Sequence, residues 1–127
     1  MDILLDTHAI LWFLKGNEKM PQTTRDTICN AENNKFVSIA SLWEVAIKSS
    51  SGKLTLDSGI EGFIEAVENN GFSLLEIAPK HIKVATDLPF IHRDPFDRML
   101  VAQAIVENMS IMTIDDNIQE YNINSVW

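Results

Sequence analysis

The sequence predicts an α/β fold: three α/β/α layers, with a central parallel sheet of about four to five strands flanked by helices. Three observations lead there. Short, continuous apolar runs suit strands buried on both faces. Between them, apolar residues recur at helical spacing. No two strand-like runs stand close enough for a tight hairpin, so the connections read as right-handed crossovers of a parallel sheet.

In chain order, the strand candidates are Ile3-Leu4-Leu5, Phe36-Val37-Ser38-Ile39, Leu74-Leu75-Glu76-Ile77 and Ile111-Met112-Thr113-Ile114. A helix is expected from about Thr7, with Asp6 as its cap. After the second strand, Ser41-Leu42-Trp43-Glu44 reads as a capping box, and Glu44 stands one helical turn before Lys48 as a stabilising pair. Ile60, Phe63, Ile64 and Val67 fall at i, i+3, i+4 and i+7, a stripe that stops at Asn69-Asn70-Gly71. Asp94-Pro95-Phe96-Asp97 opens a further helix, with Asp94 at the N-cap, Pro95 at the first position and Asp97 favourable against the helix dipole. From Phe96 to Val106 that helix is apolar almost all round, so it is expected to be central and covered on more than one side. Asp115 or Asp116 is expected to cap a short segment leading to Tyr121.

The chain of 127 residues is expected to form one domain spanning 1–127, and with 46% hydrophobic and 22% charged residues its composition is that of an ordinary globular protein. Cys29 stands alone, which excludes an intrachain disulfide and a thiolate zinc cage and favours a reducing compartment. It reads as a small packed residue. No apolar run approaches the roughly 20 residues of a membrane span, and Met1-Asp2 does not open a leader segment, so a cytoplasmic protein without membrane contact is expected. The net charge of -8 speaks against a free-standing nucleic-acid binder. It fits nucleic acid only if acids gather around metal ions or a basic partner covers them.

Parallel sheets bind ligands at the carboxyl ends of their strands. Asp6 and Asp115 follow the first and fourth strands, Glu44 lies one turn into the helix after the second, and Asp97 opens the long apolar helix. Each has a local explanation as a cap or helical pair. Capping, however, requires no agreement between helices, whereas these acids recur in the parts of the chain that a parallel sheet brings together. Carboxylates about 5 Å apart repel by roughly 3 kcal/mol per pair at an effective dielectric near 20, so a cation should compensate. Oxygen ligands without a convergent set of His or Cys select Mg²⁺ or Mn²⁺, one or two ions. Water activated by such an ion attacks phosphorus in line, which is phosphodiester hydrolysis without a protein nucleophile.

Four segments resemble the VapC-like toxins of the PIN-domain superfamily: Leu4-Leu5-Asp6-Thr7-His8; the stretch from Ser38 through Glu44 to Lys48, with Gly52-Lys53-Leu54 following; the block from His92 through Asp94-Pro95-Phe96-Asp97-Arg98 to Ala104; and Thr113-Ile114-Asp115. Together they span almost the whole chain, and the third block is the most distinctive. The resemblance implies a single PIN-like domain acting as an Mg²⁺- or Mn²⁺-dependent endoribonuclease, paired with an antitoxin protein that silences it, and a homodimer. It places Asp6, Glu44, Asp97 and Asp115 as the catalytic, metal-holding acids. Thr7 and Thr113 could orient ligands or phosphate, Asp94 stands behind the ligands as a cap, and Asp116 is the alternative to Asp115. Arg98 and Lys48 could meet backbone phosphate, although both read more simply as solvent-facing helix positions. A basic antitoxin segment is expected to enter the acidic groove.

Other readings are weaker. Of His8, His81 and His92, only His8 falls beside the expected cleft, which speaks against a paired-imidazole ribonuclease. Trp12, Phe13, Trp43 and Phe63 could stack bases but read as core. An aspartyl-phosphate domain using Asp6 would want a second acid two residues on, where the chain has His8. A catalytically inactive PIN-like scaffold suits the acidic charge but not an intact acid set.

Overall fold

The computed structural model describes every residue from Met1 to Trp127. The elements run β1 (Asp2–Leu5), α1 (Thr7–Lys15), α2 (Gln22–Cys29), β2 (Asn34–Ser38), α3 (Ile39–Ser50), α4 (Gly59–Asn69), β3 (Ser73–Leu75), α5 (Pro79–Asp87), α6 (Pro95–Glu107), β4 (Ser110–Met112), α7 (Asp116–Gln119) and β5 (Ser125–Val126). The sheet order is β3-β2-β1-β4-β5, and every neighbouring pair is parallel.

Strand alternation divides the core between the sheet's two faces. Ile3 and Leu5 pack with Ile10 of α1, Ile28 of α2, Val45 of α3 and Val67 of α4. Leu4 turns the other way, toward Leu100 and Val101 of α6 and Ile118 of α7. This yields the expected three layers. The order reverses at β1, whose neighbours are β2 on one side and β4 on the other, so a crevice opens beyond the carboxyl ends of β1 and β4.

Several local expectations need correction. Ile39 belongs to α3 rather than β2, while Ile77 and Ile114 lie beyond β3 and β4 and are exposed. The β2–β3 ladder ends at Ser38↔Leu75, because Ser38 turns the chain into α3. Ser38 is also that helix's N-cap, accepting from the Ala40 N–H, so no capping box forms at Ser41. β5 was not located from sequence; its two residues carry no period. Trp43 is 62% exposed rather than core, since the flanking Leu42 and Val45 take the inward face of α3. Cys29 is exposed as well, the inward position at the end of α2 belonging to Ile28. Phe63 is core, with Trp12 and Phe13 packed against it. No helix is long and apolar enough to cross a membrane.

Candidate active site

β1 delivers the first acid. Its last residue, Leu5, is fully buried, and Asp6 follows as the N-cap of α1, accepting from the Ala9 N–H at 2.7 Å. The other carboxylate oxygen accepts from Thr113 Oγ1 at 2.5 Å, and that threonine also takes the Asp115 N–H at 2.9 Å. Thr113 thus ties the ends of β1 and β4 together. Burial pushes the Asp6 carboxyl above its ordinary value; the Thr113 and Ala9 bonds oppose the rise, and Asp115 adds to it.

Glu44 projects from the second turn of α3 and is buried. Thr7 Oγ1 donates to its Oε1 at 2.7 Å and lies 3.0 Å from the Ser41 hydroxyl, while Lys48 Nζ donates to Oε2 at 2.7 Å. The expected Glu44–Lys48 pair is therefore present, and Lys48 lines the cleft with its side chain 48% exposed, as a solvent-facing helix position would be. The Glu44 bond raises the Lys48 amine, with Asp94 and Asp97 contributing.

Asp94 caps α6, accepting from the Phe96 and Asp97 N–H groups at 2.9 and 3.0 Å. Asp97 then stands in the first turn, where its carboxyl is pushed up to about 7 by burial first and by Asp94 next, with smaller contributions from Asp115 and Glu44; a hydrogen bond from His92 acts the other way. Asp115 caps α7 through the Asn117 and Ile118 N–H groups.

These side chains share one cleft of about 320 Å³, which contains Asp6, Glu44, Asp94, Asp97 and Asp115 together with Thr7, His8, Lys48 and Lys53. Of the adjacent acids, Asp115 lines the cleft and Asp116 is exposed outside it. Arg98 is neither a phosphate contact nor solvent-facing. It is 8% exposed, and its guanidinium donates to the carbonyls of Ala85, Leu88 and Pro89 and to the Tyr121 hydroxyl. α6 is covered on that side by α5, so an arginine there must satisfy its donors internally.

As placed, no three acidic, histidine or cysteine side chains surround a common point at ligating distance. Asp6 and Asp115 are held by helix caps, and Glu44 by Thr7 and Lys48. The donor chemistry nevertheless fits a hard divalent cation: the acids are oxygen ligands, and at Asp97 the carboxylates of Asp94, Asp115 and Glu44 add to the rise that burial causes, a repulsion that such an ion relieves.

Sequence reasoning gave no role to Lys53 and placed His92 away from the cleft. His92 in fact reaches Asp97, with Nε2 3.3 Å from Oδ2. Its position five residues before Asp97 was the available signal. Its second partner, Tyr121, comes from a different element.

The model of the PIN domain matches residues 3–124. No curated protein matches the chain. Among solved structures, the chain is similar to VapBC2 from Rickettsia felis, solved bound to a DNA fragment from their promoter, with 14% identity, a TM-score of 0.76 and coverage of 100% of this chain and 99% of that one. It is also similar to FitAcB from Neisseria gonorrhoeae (13% identity, TM-score 0.69, 98% and 96% covered). A third likeness is to VapBC-1 from nontypeable Haemophilus influenzae (16% identity, TM-score 0.64, 99% and 97% covered).

Proposed function

The chain belongs to the PIN-domain family, and on that premise we propose that it is an Mg²⁺- or Mn²⁺-dependent endoribonuclease, the VapC-like toxin of a toxin–antitoxin pair. The observation that carries the reading is the meeting of Asp6, Glu44, Asp97 and Asp115 in one cleft at the switch point of the parallel sheet. Those four acids would hold the ion. A bound divalent cation supplies Lewis acidity toward the scissile phosphate and makes water a stronger nucleophile.

The chain's own groups prepare the rest. Thr113 and the Ala9 N–H orient the Asp6 oxygens, and Thr7 orients Glu44. Lys48, Lys53 and His8 line the cleft beside the acids, a place where cations can meet phosphates of the RNA backbone on a chain whose net charge is -8. Asp94 fixes the first turn of α6 and so the backbone of Asp97. The reading includes an antitoxin whose basic segment enters the acidic cleft, a homodimer and a cytoplasmic setting. The exposed Trp43 and Ile47, one turn apart on α3, support a protein-binding role for that face.

The test is incubation of the partner-free protein with total cellular RNA and Mg²⁺ or Mn²⁺, beside a chelator control and a folded Asp97→Asn variant. Discrete cleavage lost in both controls, leaving 5′-phosphate and 3′-hydroxyl ends, is expected. A folded wild type that neither cuts RNA nor binds metal would favour the scaffold instead.

A further inference from the structure

We propose that His92 is a positioning residue for Asp97, presenting its Nε2–H to that carboxylate through a one-directional hydrogen-bond chain that starts at Arg98 and passes through the Tyr121 hydroxyl. The chain is read from its fixed end. Arg98 only donates. Three backbone carbonyls anchor its buried guanidinium, and Nη1 lies 3.2 Å from the Tyr121 hydroxyl. The phenolic oxygen therefore accepts from Arg98 and turns its own proton toward its other partner, His92 Nδ1, at 2.9 Å. Nδ1 must then be the acceptor, which places the ring proton on Nε2, the nitrogen facing Asp97 Oδ2 at 3.3 Å.

The opposite direction is disfavoured at both ends. If Nδ1 carried the proton, the hydroxyl proton of Tyr121, a residue 4% exposed, would lose its partner, and the Nε2 lone pair would face an oxygen of the ionised Asp97 carboxylate. Asp97 is thus controlled twice: its backbone by the Asp94 cap and its side chain by His92. At 3.3 Å the bond is long for N–H···O, so it steers the carboxylate rather than locking it. Groups that orient a ligating carboxylate in this way commonly set metal affinity by 10–100-fold. The inference rests on the reading of Asp97 as a metal ligand.

The test uses the full chain in two measurements. Long-range ¹H–¹⁵N spectra of the metal-free protein, recorded well above pH 7 with Asp97 ionised, should show His92 as the Nε2–H tautomer, and Tyr121→Phe should mix the tautomers while leaving the ring in place. Calorimetric titration with Mn²⁺ should then show affinity lowered by roughly 10–100-fold in His92→Ala, most of it recovered in His92→Gln, whose amide can donate from a similar position. An Nδ1–H tautomer in the wild type, or equal Mn²⁺ affinity in wild type and His92→Ala, overturns the proposal. Recovery by His92→Gln separates positioning from a general loss of packing, which would weaken both variants alike. A flat wild-type titration overturns the metal reading itself, and the positioning role with it, a failure distinct from equal, measurable affinities.

Discussion

The carboxylates at the two ends of α6 are shifted in opposite directions. Asp97 lies in the first turn and Glu107 closes the last. The helix dipole alone, at about 0.3–1 kcal/mol, would favour charge at Asp97 and oppose it at Glu107. The reverse is found. Asp97 is pushed up to about 7 by burial and by the neighbouring acids, whereas Glu107 is lowered by hydrogen bonds from His81 and Lys80. His81 itself is buried and fixed on its other side, its Nδ1 accepting the Ala78 N–H while Nε2 meets Glu107 at 2.8 Å. Desolvation and near charges therefore outweigh the dipole. One end of the helix thus carries a carboxylate crowded by other acids, and the other a carboxylate whose matched partners join α5 to α6.

The contrast can be broken most directly by substitution at each end. Asp97→Asn should lower RNA cleavage by roughly 1000-fold, the equivalent of about 4 kcal/mol of transition-state stabilisation, without destabilising the metal-free protein. Glu107→Gln should leave cleavage unchanged and lower the melting temperature. Cleavage assays with thermal melts check both, and the contrast fails if Glu107→Gln abolishes cleavage. Next in size, Arg98→Ala should cost about 3 kcal/mol in urea unfolding, because it strips donors from buried carbonyls and from Tyr121. His81→Ala should cost about 2 kcal/mol in the same measurement by unpairing Glu107 and the Ala78 N–H.

The pH dependence sharpens the comparison. Between the ordinary Asp97 value of 3.8 and its folded value of about 7, the folded state holds a proton that the unfolded chain has released. Stability of the metal-free protein attributable to this group therefore falls as pH rises through that window. Glu107 has the opposite sign, its contribution being present above its ordinary value of 4.5 and lost as pH falls through its lowered folded value. Urea midpoints measured against pH should show the Asp97 slope, and Asp97→Asn or saturating Mn²⁺ should flatten it. The smallest effect expected is at Asp116, exposed and outside the cleft: Asp116→Asn should change neither cleavage nor stability measurably.

Much of the cleft was legible because its acids sit beside local signals. Asp6 and Asp115 follow apolar runs and cap helices, and Asp94-Pro95 announces the start of α6. The same signals left the choice between Asp115 and Asp116 open, since either acid can stand at a helix start. They misjudged Trp43, Cys29 and Arg98, whose exposure depends on which neighbouring element covers them. The capping box at Ser41 failed for a related reason: β2 ends at Ser38, whose own side chain caps α3 three residues earlier than expected.

What the sequence by itself determined was the α/β class, the positions of β1 to β4, the two long-patterned helices α4 and α6, and the presence of acids at the strand ends. Hydrophobic period and cap chemistry act over a few residues, and they can be read along the chain. Only the tertiary structure decided the pairing of Thr113 with Asp6 across 107 positions, the burial of Arg98 under α5, and the meeting of His92 with Tyr121 across 29. Those contacts exist because parallel crossovers fold distant segments onto one sheet edge, and a linear pattern carries no distance between segments that only packing brings together.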